Sequence, residues 1–158
     1  MTHPKARCLI LACGNTLRGD DGLGPWLARW AEEHFKSETQ VRILSRQQWT
    51  PELAEEVAQA ESVLFIDCSV DSAPGSIQLL PVEPAATAQG LGTHHADAAE
   101  LLAMSREFYS SLPSSALQLT VGAGSTELGG KFSPTVTTVL PEACRLLEKT
   151  VLDFLAVC

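Results

Sequence analysis

The feature that most constrains this chain is a glycine-rich stretch near its N-terminus, CGNTLRGDDGLGP, over Cys13–Pro25. It follows an uninterrupted apolar run, Cys8–Ala12, which is typical of a strand buried on both faces. After it, five apolar residues fall on one face of a helix: Leu23, Trp26, Leu27, Trp30 and Ala31. The stretch is therefore predicted to be a strand-to-helix turn, where open α/β sheets bind ligands. It carries two adjacent acids, Asp20 and Asp21.

The two carboxylates favour a cation over a phosphate at this turn. A phosphate-binding loop would show GxGxxG or GK[ST] spacing, which the stretch lacks, and two carboxylates would repel an anion. Asp20 and Asp21 also have a plainer interpretation, because acids at the start of a helix cap it and complement its dipole. The turn by itself leaves cation binding and helix capping both open.

Length, composition and charge limit the classes of protein to which this chain can belong. The chain has 158 residues, 45% of them hydrophobic and 19% charged, which predicts a single globular domain over residues 1–158. A formal net charge of -8 argues against binding to nucleic acid or to anionic membranes. No apolar run is long enough to span a bilayer. The apolar residues near the N-terminus lead directly into the turn, so we interpret them as the first strand and not as a signal peptide.

The cysteines indicate a reducing compartment. There are five, widely spaced and without a CxxC pair, which argues against a zinc knuckle or a thioredoxin-like motif. A cytoplasmic location is therefore expected. Cys13 and Cys68 fall at predicted strand ends near the turn. We interpret them as small buried apolar residues; a catalytic thiol is the less favoured alternative, because it would need a base beside it.

The remaining pattern predicts an α/β fold with a largely parallel sheet. Strands are predicted at Ala6–Ala12, Val41–Ser45, Ser62–Asp67, Ile77–Val82 and Leu117–Val121. Helices are predicted at Pro25–Phe35, from an N-cap at Thr50 to about Ala60, from about Asp97 to Tyr109 with Phe108 among its apolar positions, and from Ser133 onward, with Pro141 breaking or kinking the last. The link between the third and fourth strands is too short for a helical crossover, so the fourth strand should be antiparallel.

Three functional side chains are expected to meet at one edge of this sheet. Asp21 follows the first strand, Asp67 ends the third, and His94 or His95 ends a predicted surface loop, Glu83–Thr93, before a helix. Neighbouring parallel strands bring their carboxyl ends to the same edge. Two carboxylates and an imidazole suit a divalent metal such as nickel or zinc. Each residue could also serve locally as a turn or helix cap, so spacing alone leaves that alternative open.

At these residues the chain resembles the hydrogenase maturation proteases, endopeptidases that trim the C-terminus of the large subunit of [NiFe] hydrogenases. The resemblance spans nearly the whole chain and rests on four stretches: GNTLRGDDGLGP, FIDCSVDSAPGS, THHADAAELL and LTVGAGSTELGGKFSP. It implies that Asp21, Asp67 and His94 form the metal site. His94 is preferred to His95 by its distance from the following helix. The second acid of the first motif is Glu in some members and Asp here.

The resemblance also implies a fold and a mode of action. The fold is a three-layer α/β/α sandwich of the phosphorylase/hydrolase-like kind, with a mixed five-stranded sheet in order 2-1-3-5-4 and strand 4 antiparallel. The expected partner is the large-subunit precursor, which presents nickel already held by its own cysteines; zinc or another divalent metal could replace nickel in vitro. Cleavage is expected to be assisted by the metal, through an activated water or with Asp20 or Asp21 as general base. Asp20 could instead support its neighbour or cap the helix.

Two other functions remain open from the sequence. A peptidyl-tRNA hydrolase also has a glycine-asparagine turn after its first strand, although the acidic balance and the lack of a basic stripe argue against a tRNA substrate. A metal chaperone or regulatory module without proteolytic activity could use the same three ligands. The sequence does not separate this second alternative from a protease.

Overall fold

A single mixed sheet forms the centre of the structure, a computed structural model that describes residues 6–87 and 96–157. Its strands are β1 (Ala6–Cys13), β2 (Val41–Arg46), β3 (Ala60–Ser69), β4 (Ile77–Pro81) and β5 (Ser115–Gly122). Their order is β2-β1-β3-β5-β4. All neighbours are parallel except β4 and β5, which are antiparallel. The predicted strand order and the reversed fourth strand are thereby confirmed.

Helices cover both faces of this sheet. A short 3-10 helix, Gly19–Gly22, leads into α1 (Leu23–His34), followed by α2 (Leu53–Ala58), α3 (Ala98–Tyr109) and α4 (Pro134–Ala156). One core lies under α1 and α4, and the other lies under α2 and α3. Along β1, Cys8, Ile10 and Ala12 enter the first core, whereas Leu9 and Leu11 enter the second. Because β1 is covered on both faces, its residues Cys8–Ala12 are all apolar and do not alternate with polar ones. The two cores confirm the three-layer α/β/α arrangement.

One predicted helix boundary, the N-cap at Thr50, was wrong, and the predicted alternative of a break at Pro141 does not occur. The second helix extends only over Leu53–Ala58, with Glu52 and not Thr50 at its N-cap, because Ala60 already begins β3. The last helix continues through Pro141 without a break in its assignment. A proline removes the bond to the carbonyl four residues earlier, here Thr137. Because Thr137 and Pro141 are both exposed, water can satisfy that carbonyl and the helix continues.

Two aromatic residues assigned to apolar helix faces are partly exposed. Trp26 is 38% exposed, because α1 turns Leu23, Leu27 and Ala31 toward the sheet and leaves Trp26 at the margin. Phe108 is 52% exposed. It lies in the last turn of α3, where residues 106–109 are all exposed, since this twelve-residue helix packs against the shorter α2.

The predicted loop Glu83–Thr93 lies outside the described residues from position 88 onward, as do His94 and His95. Among residues 6–87 and 96–157, no helix combines the length and the apolar character needed to cross a membrane.

Candidate functional site

An open groove of about 540 Å³ lies where β1 and β3 end. Asp21 and Asp67 both line it, so the tertiary structure brings these two predicted residues together. The third, His94, lies outside the described residues. Ala96, where the described chain resumes, also lines the groove, and its N–H donates to the Trp49 carbonyl at 2.9 Å.

Asp67 is held by two side chains from the neighbouring strand. Gln118 Nε2 and Thr120 Oγ1 donate to Asp67 Oδ1 at 3.2 Å and 3.3 Å. The parallel register explains this, because Asp67 lies opposite Thr120 in the β3–β5 ladder. Both bonds end on Oδ1, which orients the carboxylate and leaves Oδ2 as the oxygen for a ligand. Burial and the nearby charge of Asp21 raise the pKa of Asp67, although the bonds from Gln118 and Thr120 lower it.

Asp21 is positioned by the backbone of its own turn. Its Oδ2 accepts a hydrogen bond from Asn15 N–H at 2.8 Å, and Asn15 Oδ1 accepts one from Leu17 N–H at 2.9 Å. The turn folds closely at Gly14, whose φ is +152°, and a Cβ there would lie 2.0 Å from the Asp21 carbonyl oxygen. Only glycine fits at that position. The glycines of the motif therefore bring the Asp21 carboxylate to the groove.

Asp20 has a different environment from its neighbour. It is fully buried, and its carboxylate accepts four hydrogen bonds at 2.7–2.9 Å, from Gly124 N–H, Ser125 N–H, and both the N–H and hydroxyl of Ser133. Burial alone would raise the pKa of Asp20, but these bonds outweigh it and lower the pKa. The carboxylate ties the turn to the segment before α4. These contacts favour the supporting role over the catalytic one for Asp20, which stays a prediction.

The two cysteines near the groove are poor candidates for nucleophiles. Burial, followed by the charges of Asp67 and Asp21, raises the pKa of the Cys13 thiol far above its ordinary value. Burial and nearby carboxylates raise the pKa of Cys68 to about 12. Both thiols are therefore protonated at neutral pH, whereas the thiolate is the reactive form. The sequence predicts that both are small buried apolar residues, whereas in the structure both are only partly buried.

The described residues include two of the three predicted metal ligands, Asp21 and Asp67. Within residues 6–87 and 96–157, no three His, Cys, Asp or Glu side chains are placed to hold a metal ion together. Asp21 and Asp67 supply carboxylate oxygens to the groove. These are suitable oxygen ligands for the predicted metal site of two carboxylates and one imidazole. His94 stays the predicted third ligand.

Sequence reasoning missed the two residues that orient Asp67. Gln118 and Thr120 were included in a strand identified by its apolar residues, yet they alternate with Leu117, Leu119 and Val121. When polar residues occupy every second position of a strand next to the central one, they share one face of the sheet. Because buried polar side chains need partners, this pattern indicates a polar site on that face.

The bond from Gln118 leads to a testable pH effect. Because this bond lowers the pKa of Asp67, we expect Gln118→Met to move the titration of the Asp67 carboxyl to higher pH. A 13C NMR titration of the carboxyl groups measures it directly. Gln40→Met, the same change at an exposed position before β2, should leave the Asp67 titration in place. An unchanged or lower midpoint in Gln118→Met would contradict the assigned bond.

No family model and no curated protein sequence matches this chain. Solved structures do match. The hydrogenase maturating endopeptidase HybD from E. coli is 22% identical, with a TM-score of 0.73 and 93% of each chain covered. The [NiFe] hydrogenase maturation protease HycI from Thermococcus kodakarensis KOD1 is 23% identical, with a TM-score of 0.66 and coverage of 97% of this chain and 94% of the other. A hydrogenase 2 maturation peptidase from a Thaumarchaeota archaeon is 22% identical, with a TM-score of 0.63 and coverage of 92% and 97%. The chain therefore has the fold of these endopeptidases.

Proposed function

We propose that this protein is an endopeptidase that removes the C-terminal extension of a nickel-loaded [NiFe] hydrogenase large-subunit precursor. One observation carries the proposal: Asp21 and Asp67 converge in a groove of a chain that shares the fold of hydrogenase maturation endopeptidases over more than nine-tenths of its length.

In this proposal, nickel belongs to the substrate, and the groove recognises it. Asp21 and Asp67 each have one oxygen held by the protein, which leaves the other oxygen for the ion. The two carboxylates raise each other's energy when both are ionised, and a divalent cation between them removes this cost. His94 is proposed to add a nitrogen ligand. A precursor without metal brings no compensating charge, so the groove distinguishes loaded from unloaded precursor.

Cleavage is proposed to be hydrolysis of the peptide bond next to the nickel. The metal ion polarises the scissile carbonyl and favours attack by water. A carboxylate at the groove then accepts the proton from that water. In the alternative route with a carboxylate base, Asp21 fits this role better than Asp20, because all four hydrogen bonds to the Asp20 carboxylate come from the segment before α4. In that route the free oxygen of Asp21 accepts the proton instead of binding the ion.

The adjacent histidines provide a matched pair of variants. We expect His94→Ala to slow processing of nickel-loaded precursor by at least about 100-fold, since loss of a metal contact removes several kcal/mol of stabilisation. His95→Ala should stay within about threefold of the unmodified protein. Purified protein is incubated with nickel-loaded or nickel-free precursor, and mass spectrometry of the large subunit gives the rate and the position of the cut.

Other results would separate the alternatives. Shortening of nickel-free precursor at the same rate would contradict recognition of nickel. Binding of loaded precursor without any shortening would indicate the non-proteolytic metal-binding module. Equal processing by His94→Ala and the unmodified protein would show that the histidine assignment is wrong.

A further inference from the structure

A second surface adjoins the groove on the other side of the glycine-rich turn. Arg18 forms a parallel bridge with Gly129, in which Gly129 N–H donates to the Leu17 carbonyl at 2.8 Å and Gly19 N–H donates to the Gly129 carbonyl at 2.7 Å. Leu17 and Leu128 directly precede the two bridged residues, so the bridge brings their backbones close together. Both side chains extend into solvent, with 68% and 78% of their surface exposed.

Aromatic residues extend this apolar area. Trp26 and Phe132 meet edge to face, with ring centroids 6.2 Å apart. They line a shallow cavity of about 250 Å³ whose wall includes Thr16 and Gly130, the neighbours of Leu17 and Gly129 in the chain. We call Leu17, Leu128, Trp26 and Phe132 the apolar strip. Adjacent exposed leucines on a small protein indicate a binding surface more often than an isolated one does.

The basic residues around the apolar strip lack partners. Of the ten arginines and lysines in residues 6–87 and 96–157, six form ion pairs and Arg46 donates to the Ser45 carbonyl. The remaining three, Arg18, Arg29 and Lys131, have no ion pair or hydrogen bond from their side chains within the described chain. Arg29 lines the cavity beside Trp26, and Lys131 precedes Phe132. Glu127 is the acid adjacent to Leu128. Although the chain has a net charge of -8, its three unpaired basic residues therefore lie at or beside this surface.

We propose that the apolar strip binds a polypeptide segment of the substrate in which apolar side chains are flanked by carboxylates. The apolar residues of this segment would cover Leu17 and Leu128, and its carboxylates would meet Arg29 and Lys131. This rests on the proposed function, because the segment belongs to the precursor whose nickel enters the groove.

Two observations favour this occupant over a second copy of the chain. A symmetric dimer would bury this surface against its own copy, which would bring the unpaired cations of both copies into one interface, where like charges repel. The strip also adjoins the groove, because Arg18 lines the groove and its backbone bridges to Gly129, the residue after Leu128. A substrate chain bound at Asp21 and Asp67 would therefore reach Leu17 by crossing the Arg18–Gly129 bridge.

The test combines binding with kinetics. The double variant Leu17→Ser/Leu128→Ser removes the apolar contact, and Arg29→Glu/Lys131→Glu reverses the charge. Matched controls on α4 are Leu152→Ser, another half-exposed leucine, and Arg145→Glu/Lys149→Glu, which changes the net charge equally. Binding of nickel-loaded precursor is measured by biolayer interferometry, and kcat and KM are measured by mass spectrometry at low and high salt.

We expect both surface variants to raise Kd and KM by at least about tenfold with kcat within about twofold, since none of these residues contacts the reacting groups. Charge reversal should also reverse the salt dependence of KM, because salt would then screen a repulsion instead of an attraction. Both controls should resemble the unmodified protein. Unchanged Kd and KM in the surface variants would overturn the proposal, as would a stable dimer that the serine variants dissociate.

The two proposals fail in different ways. If the unmodified protein binds the precursor through the strip but never shortens it, the proposed protease function fails and the docking surface stands. If the precursor is shortened normally by both surface variants, the docking surface fails and the protease stands. If the unmodified protein neither binds nor shortens the precursor, both are overturned.

Discussion

Asp67→Asn should abolish processing and at the same time stabilise the protein. Processing should fall by at least about 100-fold, because the amide cannot supply the negative charge that the metal ion requires. The free energy of unfolding at pH 7 should rise by about 0.5–2 kcal/mol, the usual range for a single stabilising substitution. Burial raises the pKa of Asp67, so its ionised form destabilises the folded state. An asparagine oxygen can still accept the bonds from Gln118 and Thr120.

The raised pKa of Asp67 determines how the stability gain of Asp67→Asn depends on pH. A carboxyl group whose pKa is higher in the folded state costs stability when the pH lies above that folded pKa. The cost disappears as the pH falls toward the unfolded value of about 3.9, where the unmodified side chain is protonated as well. The advantage of Asp67→Asn should therefore be largest at neutral pH and shrink in acid.

Urea denaturation at pH 7 and at pH 4, together with the processing assay, measures both parts of this prediction. Asp71→Asn is the control, since Asp71 is an exposed aspartate only four residues further along the chain. It should change neither stability nor processing. A stability loss in Asp67→Asn with processing retained would contradict both the assigned environment of Asp67 and its role.

Asp20→Ala should lower the free energy of unfolding by at least about 4 kcal/mol. The substitution leaves the N–H groups of Gly124, Ser125 and Ser133 without their acceptor, and bonds to a charged acceptor contribute about 1.5–3 kcal/mol each. The segment before α4 and the turn that carries Asp21 would lose their common anchor. Processing should fall as well, through displacement of Asp21.

The pH dependence of this effect has the opposite sign to that at Asp67. The pKa of Asp20 is lowered in the folded protein, so its stabilising contribution is complete above the unfolded pKa of about 3.9 and is lost as the pH falls through the folded value. The difference between Asp20→Ala and the unmodified protein should therefore narrow below about pH 4.

Denaturation of Asp20→Ala is compared with that of Asp153→Ala, where an exposed carboxylate pairs with Lys149 and contributes less than about 1 kcal/mol. If Asp20→Ala were as stable as the control and still lost all processing, the supporting role would be wrong and the catalytic role would be favoured.

The strands could be predicted from the sequence because their signals are local, whereas their order in the sheet was implied only by the family resemblance. The run Cys8–Ala12 lacks alternation, which identifies a strand covered on both sides. The short link before Ile77 excludes a helical crossover and so fixes the direction of β4. Ser133 and Pro134 mark the start of α4, where Ser133 accepts a hydrogen bond from Val136 N–H. Each of these decisions depends on residues within one turn or one strand of each other.

The environments of the site residues were decided only by tertiary structure. Residue type and spacing do not distinguish Asp20 from Asp21, and only the family resemblance favoured Asp21 as the ligand. In the structure, Asp20 accepts hydrogen bonds from residues more than 100 positions away, whereas Asp21 lines the groove. Gln118 reaches Asp67 across the β3–β5 ladder, over 51 positions. Sequence patterns report which side chains are buried, because burial follows the period of a helix or a strand. Which polar groups meet depends on strand register and loop docking, and these exist only once the distant segments have packed together.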